Sequence, residues 1–199
     1  GHHRDTVGRR TPMSQLEQDP MTTTALDALF QVEPPWIRVG SGEAERRKWI
    51  PSYFYSREGL DVCVRLLRGW KMRSVDALMS EFGAALQFFE GFGENWHALE
   101  ECLTCLDEWL PADAYVLVVE RAEELLAEED ESQLAALLKT LGGAGEAWSK
   151  SVEDNGRFNR SAIPFHVLLN LPNDRPAAQS RFAEVARDAG VTIEVVQAP

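Results

Sequence analysis

Val62-Cys63-Val64-Arg65-Leu66-Leu67, stopped by Gly69, and then Ser74 followed by Val75, Leu78, Met79, Phe82 and Leu86, read as a core strand passing into an amphipathic helix. A short β-branched and apolar run closed by glycine suits a strand, and apolar residues every three or four positions behind a serine N-cap suit a helix. The alternation continues downstream. Asn95 is a fitting cap for a helix from Trp96 to about Glu108, stopped by Pro111, and Tyr115 to Glu120 is a buried-type strand. Ala122 to Ala127 reads as a short helix, and Gln133 to Trp148 as a longer one carrying Gly142, Gly143 and Gly145. Phe165 to Leu169 is another strand, Ala177 to Ala189 a helix, and Val191 to Val196 a last strand. Apolar strands separated by helices, without tight hairpin turns, predict an α/β fold: a parallel sheet of about three to four strands covered by helices.

Outside this core the chain is less regular. Gly1-His2-His3 looks like the remnant of a purification tag, and 1–24 is expected to be a flexible polar tail. An N-terminal extension over 25–60 is expected to be partly extended. Trp36-Ile37-Arg38-Val39 and Tyr53-Phe54-Tyr55 read there as strands or as ordered arm, and Trp49 could pack on the sheet or on a partner. The core is expected over 61–171, with an additional helix-strand unit over 172–199.

Composition narrows the class. The 199 residues are 44% hydrophobic, which argues against global disorder. No apolar run approaches the roughly 20 residues of a spanning helix, and the first residues lack the apolar centre of a secretion signal, so a cytoplasmic, membrane-free protein is expected. Cys63, Cys102 and Cys105 do not make a disulfide scaffold. The formal charge is −12, and the segment 90–131 holds fourteen Asp and Glu against Arg121 alone. That sign disfavours direct nucleic-acid binding, which needs cations that release the polyanion's counterions. It favours a basic partner, drawn by a directional field.

On the helix beginning at Trp96, Ala98, Leu99, Cys102, Leu103 and Leu106 share with Trp96 an arc of roughly 160° that suits a core-facing stripe. Opposite lie His97, Glu100, Glu101, Thr104, Asp107 and Glu108. His97, Glu101, Thr104 and Glu108 are predicted to form one exposed ridge. Like charges spaced along a helix repel, and carboxylates near its C-terminus oppose the dipole, so stability alone would not choose this ridge. A solvated acidic face is the plain alternative.

Phe92-Gly93-Glu94-Asn95-Trp96, followed by Ala98-Leu99 and Glu101-Cys102-Leu103-Thr104, resembles the barstar family of intracellular ribonuclease inhibitors, and the likeness extends from Val62 to the strand at Phe165. The resemblance implies a non-enzymatic immunity protein that plugs, one-to-one, the active site of a basic ribonuclease or related nuclease toxin, with carboxylates in place of RNA phosphates. It implies a contact surface of Gly91, Phe92, Gly93, Glu94, Asn95, His97, Glu100, Glu101, Thr104 and Glu108. Glu101 holds the position of the family's central aspartate, and Glu146 is a candidate outer contact. No cofactor and no metal are implied. The chain departs from the family at Gly91, where a contacting tyrosine is usual, at His97, where a second aspartate is usual, and at Leu106, where a tryptophan ends the helix. Those departures imply a partner other than barnase. A neutral His97 could hydrogen-bond in a phosphate site, while a protonated one would oppose a cationic site.

Two other chemistries compete. Cys102-Leu103-Thr104-Cys105 is formally a C-x-x-C, but it falls mid-helix rather than at a helix N-terminus, where the dipole would activate a thiol. His97, Glu101 and Cys105 recur every four residues as three ligands for zinc, but three on one straight face splay too far apart without a fourth, and His166 reads as a core-edge residue. A metal- or thiol-dependent enzyme using His97, Cys102 and Cys105 is thus the runner-up, and an acidic interaction module unrelated to nucleases the third reading. Trp70, Trp109 and Trp148 read as core or core rim.

Overall fold

Each predicted strand is apolar enough to be buried on at least one face, and strands running the same way must be joined by crossovers. The computed structural model describes residues 27–41, 59–153, 159–172 and 175–196. In it β1 (Ile37–Ser41), β2 (Val62–Arg68), β3 (Ala114–Glu120), β4 (Phe165–Leu171) and β5 (Ile193–Val196) form one parallel sheet in the order β2-β3-β4-β1-β5. The helices are α1 (Val75–Ala85), α2 (Trp96–Thr104), α3 (Glu131–Trp148) and α4 (Pro176–Ala189). The α/β class and the helix-covered parallel sheet are as the sequence predicts, with five strands in place of about three to four. Tyr53-Phe54-Tyr55, Trp49 and the expected tail over 1–24 lie outside the described residues.

Ile37, Val39, Tyr115, Leu117, Val119, Phe165, Val167 and Leu169 point to one side of the sheet, where they pack with Leu78, Phe82, Leu99, Leu103, Leu138 and Phe182 of the four helices. Val64, Val116 and Val118 point to the other side, with Leu29 and Phe30 against them. Central β3 is buried on both faces, so its sequence is continuously apolar rather than alternating. On this second face the sheet turns polar towards β1 and β5. Arg38 donates through Nη1 to His166 Nδ1 (2.9 Å) and to the Pro35 carbonyl (2.9 Å), and through Nε to Glu194 (3.2 Å). Because Nδ1 accepts, His166 Nε2 carries the proton and donates it to the Gln31 carbonyl at 2.7 Å. Burial pushes the His166 pKa down to about 4.

The strand predicted around Trp36 is interior, lying between β4 and β5. Trp36 packs so closely on α3 that a Cβ at Gly145 would collide with its indole, which explains one of the helix's three glycines. α1 is capped by Ser74 as expected, its Oγ accepting from the Ala77 N–H (3.2 Å). A bidentate ion pair between Arg68 and Glu81, with both N–O distances 2.8 Å, fastens α1 to β2.

Several boundaries differ from the sequence reading: β4 runs on to Leu171 and β5 begins only at Ile193, and three helical segments change. The helix expected through Glu108 ends at Thr104, and one 3-10 turn, Leu106–Glu108, follows. Cys105 donates its N–H to the Cys102 carbonyl, tightening the last turn, and Arg160 takes the Thr104 carbonyl at 2.7 Å, so the carbonyls left open at a helix end are satisfied from outside. The helix expected over Ala122 to Ala127 is a single 3-10 turn, Ala122–Glu124, because the backbone turns out of the helical region at Leu125 (ψ 121°) and is left-handed at Leu126 (φ 53°). α3 starts two residues earlier than predicted, at Glu131, where the Asp130 side chain accepts from the Ser132 N–H at 2.9 Å.

Candidate functional site

Two loops and one helix build the site, and each is fixed by identifiable bonds. Asn95 is extended (φ −137°, ψ 169°), its Oδ1 accepting from the Ala98 N–H (2.8 Å) while its Nδ2 donates to the Gly93 carbonyl (3.1 Å). One side chain thus starts α2 and shapes the loop before it. Leu99, Cys102 and Leu103 are buried, Trp96 Nε1 donates to Gln133 of α3 (3.0 Å), and Trp148 Nε1 donates to the Leu103 carbonyl (2.8 Å). With one face held on α3, the opposite face is turned outward. There His97 Nε2 lies 3.1 Å from Glu101 Oε1, with side chains 82% and 68% exposed.

Beside this face is a cleft of about 410 Å³ lined by Phe89, Gly91, Phe92, Gly93, Asn95, His97, Ala98, Glu101, Cys102, Cys105, Glu108 and Trp109. Its floor is aromatic. The Phe88 ring stands edge-on to Phe92 (4.8 Å between centroids) and to Trp109 (6.0 Å), and Trp109 donates its indole N–H to the Leu86 carbonyl at 2.8 Å.

The structure therefore brings Gly91, Phe92, Gly93, Asn95, His97, Glu101 and Glu108 to one cleft. Glu94, Glu100 and Thr104 are not among the residues lining it. Glu94 is exposed in the adjoining loop with φ 50°. Glu100 turns to the flank facing α3, where its carboxylate lies over Gly143. Thr104 hydrogen-bonds back into its own helix, Oγ1 donating to the Glu101 carbonyl (3.0 Å). The ridge predicted from a continuous helix is accordingly broken: Glu108 reaches the cleft from the 3-10 turn. Glu146 accepts from the Trp36 indole (3.3 Å) and borders a separate cleft between α3 and the start of β1.

Ala98, Cys102 and Cys105 also line the cleft although the sequence reading left them off the contact surface, and three larger residues were missed here. Phe89, 62% exposed, lines the cleft, and the adjacent aromatic pair Phe88-Phe89 was the available signal, since neighbours in a turn cannot both face inward. Trp109 is a wall of the site as well as core rim. Arg160, within a stretch read only as polar loop, stacks its guanidinium 3.8 Å over Trp148, pairs with Asp107 (3.5 Å) and caps α2; no local pattern announces it.

The acidic stretch also divides. Glu101 and Glu108 line the cleft, whereas Glu124 and Glu128 pair with Arg73, Glu131 with Arg181, Asp107 with Arg160, Asp130 caps α3, and Glu129 accepts from the Val75 N–H. Sequence-local acidity is thus partly cleft lining and partly internal fastening. Cys102 is buried and Cys105 half-buried, and burial raises both thiol pKa values, away from the reactive thiolate. Among the described residues no group of three or more His, Cys, Asp or Glu is arranged to hold a metal ion, and no helix is long and apolar enough to cross a membrane.

Residues 62–170, more than half of the chain, match the family described as Barstar (barnase inhibitor). The chain belongs to the barstar family. No curated protein matches it. The barstar match opens at the first residue of β2 and closes within β4, so it contains α1, α2, α3 and every residue lining the cleft. Strands β1 and β5 and helix α4 lie outside it. The family is one of protein inhibitors, and a nuclease is the kind of partner that membership supports.

Proposed function

We propose that this barstar-family protein inhibits a basic ribonuclease, binding one-to-one through the loop 91–95 and the outward face of α2, and serves in the cytoplasm as the immunity partner of a ribonuclease toxin. The observation that carries the reading is Glu101: a well-exposed carboxylate, on a helix whose other face is anchored to α3, at the rim of a cleft that also holds Glu108. A carboxylate accepts paired hydrogen bonds from an arginine fork much as a phosphate oxygen pair does, so a fixed carboxylate can occupy the place of an RNA backbone in a cationic active site. Asn95, which sets both the loop and the first turn of the helix, is the positioning residue. His97, already 3.1 Å from Glu101, orients that carboxylate and must share it with any incoming cation.

The test is inhibition. RNA hydrolysis by barnase, and by any basic ribonuclease encoded beside this gene, is followed as the protein is titrated in; stoichiometric loss of activity is expected with at least one of them. Glu101→Ala should weaken that inhibition by about 2–5 kcal/mol, the general cost of leaving a buried partner charge unpaired, while Glu100→Ala on the flank should cost under about 1 kcal/mol. Undiminished inhibition by Glu101→Ala would move the interface elsewhere, and inertness towards every basic ribonuclease would leave an acidic interaction module unrelated to nucleases.

A further inference from the structure

We propose that Cys102 and Cys105 are a redox pair: a disulfide between them, formed by exchange with a low-molecular-weight disulfide such as oxidised glutathione, reshapes the C-terminal end of α2 and the cleft beside it. Only the consequence for docking rests on the proposed function, since the bond itself needs no partner. The two cysteines close one turn of chain. Cys105 donates its N–H to the Cys102 carbonyl (3.2 Å), and such a turn sets the two Cα atoms about 5 Å apart, inside the roughly 4.4–6.8 Å that a disulfide spans. Both residues line the same cleft. On a helix, Cβ atoms three residues apart stand about 5–6 Å from each other, whereas a disulfide needs about 3.5–4.5 Å, so closure must draw Cys105 inward. Cys105 can yield, because it is the C-cap of α2 and has left the helical conformation (φ −119°, ψ 18°). That movement is the switch. Glu108 donates its N–H to the Cys105 carbonyl (3.0 Å) and so follows it, and Cys102 lies directly after Glu101 on the same cleft wall. The strain also makes the bond easy to reduce, as a reversible switch requires.

The two thiols are unequal. Cys102 is buried and Cys105 half-buried. Burial raises both pKa values, and the charges of Cys105 and Glu101 raise that of Cys102 further. At Cys105 a hydrogen bond with Thr104 and the Arg160 guanidinium oppose the rise, against Glu108 and Asp107. Cys105 therefore attacks first. Its thiolate bonds to one sulfur of oxidised glutathione and expels the other half as a glutathione thiolate, which takes up the proton that Cys105 gave up. The Cys102 thiolate then attacks the Cys105 sulfur and expels the second glutathione, likewise protonated. The protein loses two hydrogens with their electrons, and one glutathione disulfide becomes two glutathione thiols. Because both thiols are protonated at neutral pH, the exchange is slow, and the pair records the redox state of its surroundings rather than catalysing.

The experiment incubates the reduced, isotopically labelled full chain with oxidised glutathione at about pH 8.5, where thiolates are more abundant, and follows intact mass and amide chemical shifts. The expected product has lost two hydrogens, keeps Cys63 as its one thiol open to alkylation, and shows shifts centred on Cys102 to Glu108 and the cleft. Excess reduced glutathione should restore the first spectrum. Cys105→Ser and Cys102→Ala should each stop at a glutathione adduct or stay unmodified, whereas Cys63→Ala should oxidise as the parent does; core resonances of the reduced variants will verify that each is folded. A chain that never loses two hydrogens, a bond that includes Cys63, or a Cys102–Cys105 bond that leaves the cleft resonances in place would overturn the proposal. No ribonuclease takes part, so failure to inhibit one leaves this result standing, and inhibition by a chain whose cysteines never pair refutes this inference alone.

Discussion

Single residues already carry much of the physical logic. Asn95 and Ser74 were legible as caps because their short polar side chains precede apolar runs, and both accept the hydrogen bond that a cap must. Glu101 and His97 were legible as outward because helical spacing opposes them to Leu99, Cys102 and Leu103. Phe89 was not, since nothing in a sequence states which of two adjacent aromatics in a turn faces out. His166 was placed at the core edge and is instead fully buried, its ring wedged between the Arg38 guanidinium and the Gln31 carbonyl. Its titration has a definite sign. Above about pH 6.5 the ring is neutral folded or unfolded; below it the unfolded chain takes a proton that the folded protein refuses until about pH 4. Stability should therefore fall as pH drops through that window, by on the order of 3 kcal/mol from this group. Glu81, held below the usual carboxylate range first by its hydrogen bonds with Arg68, adds its loss only at lower pH. Urea unfolding midpoints at several pH values between 4 and 7 check this, and His166→Asn, which keeps an acceptor towards Arg38, should flatten the slope.

At the scale of elements, α2 and the loops at its two ends line the cleft while α3 holds α2 from behind, and glycine decides how α3 is used. Gly143 and Gly145 look alike in sequence and differ in place. A methyl at Gly143 meets only the mobile end of Glu100, so Gly143→Ala should be neutral or stabilise by up to about 1 kcal/mol through better helix propensity. A methyl at Gly145 meets the buried indole of Trp36, so Gly145→Ala should cost about 1–3 kcal/mol by overpacking. Denaturant unfolding of the two variants provides the comparison, and equal effects would contradict the packing described here. The early end of α2 shows why helix boundaries resist prediction. Apolar periodicity continues to Leu106, yet the helix stops where Cys105 closes a tighter turn and a guanidinium 56 residues away takes the Thr104 carbonyl.

For the whole molecule, two features matter. The sheet places a strand from before the barstar-matched region between β4 and β5, so among the described residues β5 is paired only to β1, and the outer strand depends on the N-terminal segment. The net charge of −12 is large for 199 residues, and part of it stands at the cleft. Association with a basic partner should therefore be electrostatically steered, its rate constant falling by about tenfold or more as ionic strength rises from about 50 to about 500 mM while dissociation changes less. Stopped-flow kinetics across a salt series checks this; a rate indifferent to salt would remove steering from the account.

The amino-acid sequence by itself determined the strand-helix alternation, the parallel α/β class, the caps of α1 and α2, and the outward position of Glu101 and His97. All of these follow from periodicity and local hydrogen bonding over a few residues. Only the tertiary structure decided the order of the strands, the interior place of β1, the division of the acidic stretch into cleft lining and ion pairs, and the joining of Phe89, Glu101, Glu108 and Trp109 around one cleft. Those depend on contacts between residues distant in the chain, and apolar patterning, which fixes which side of an element is buried, does not specify what it is buried against.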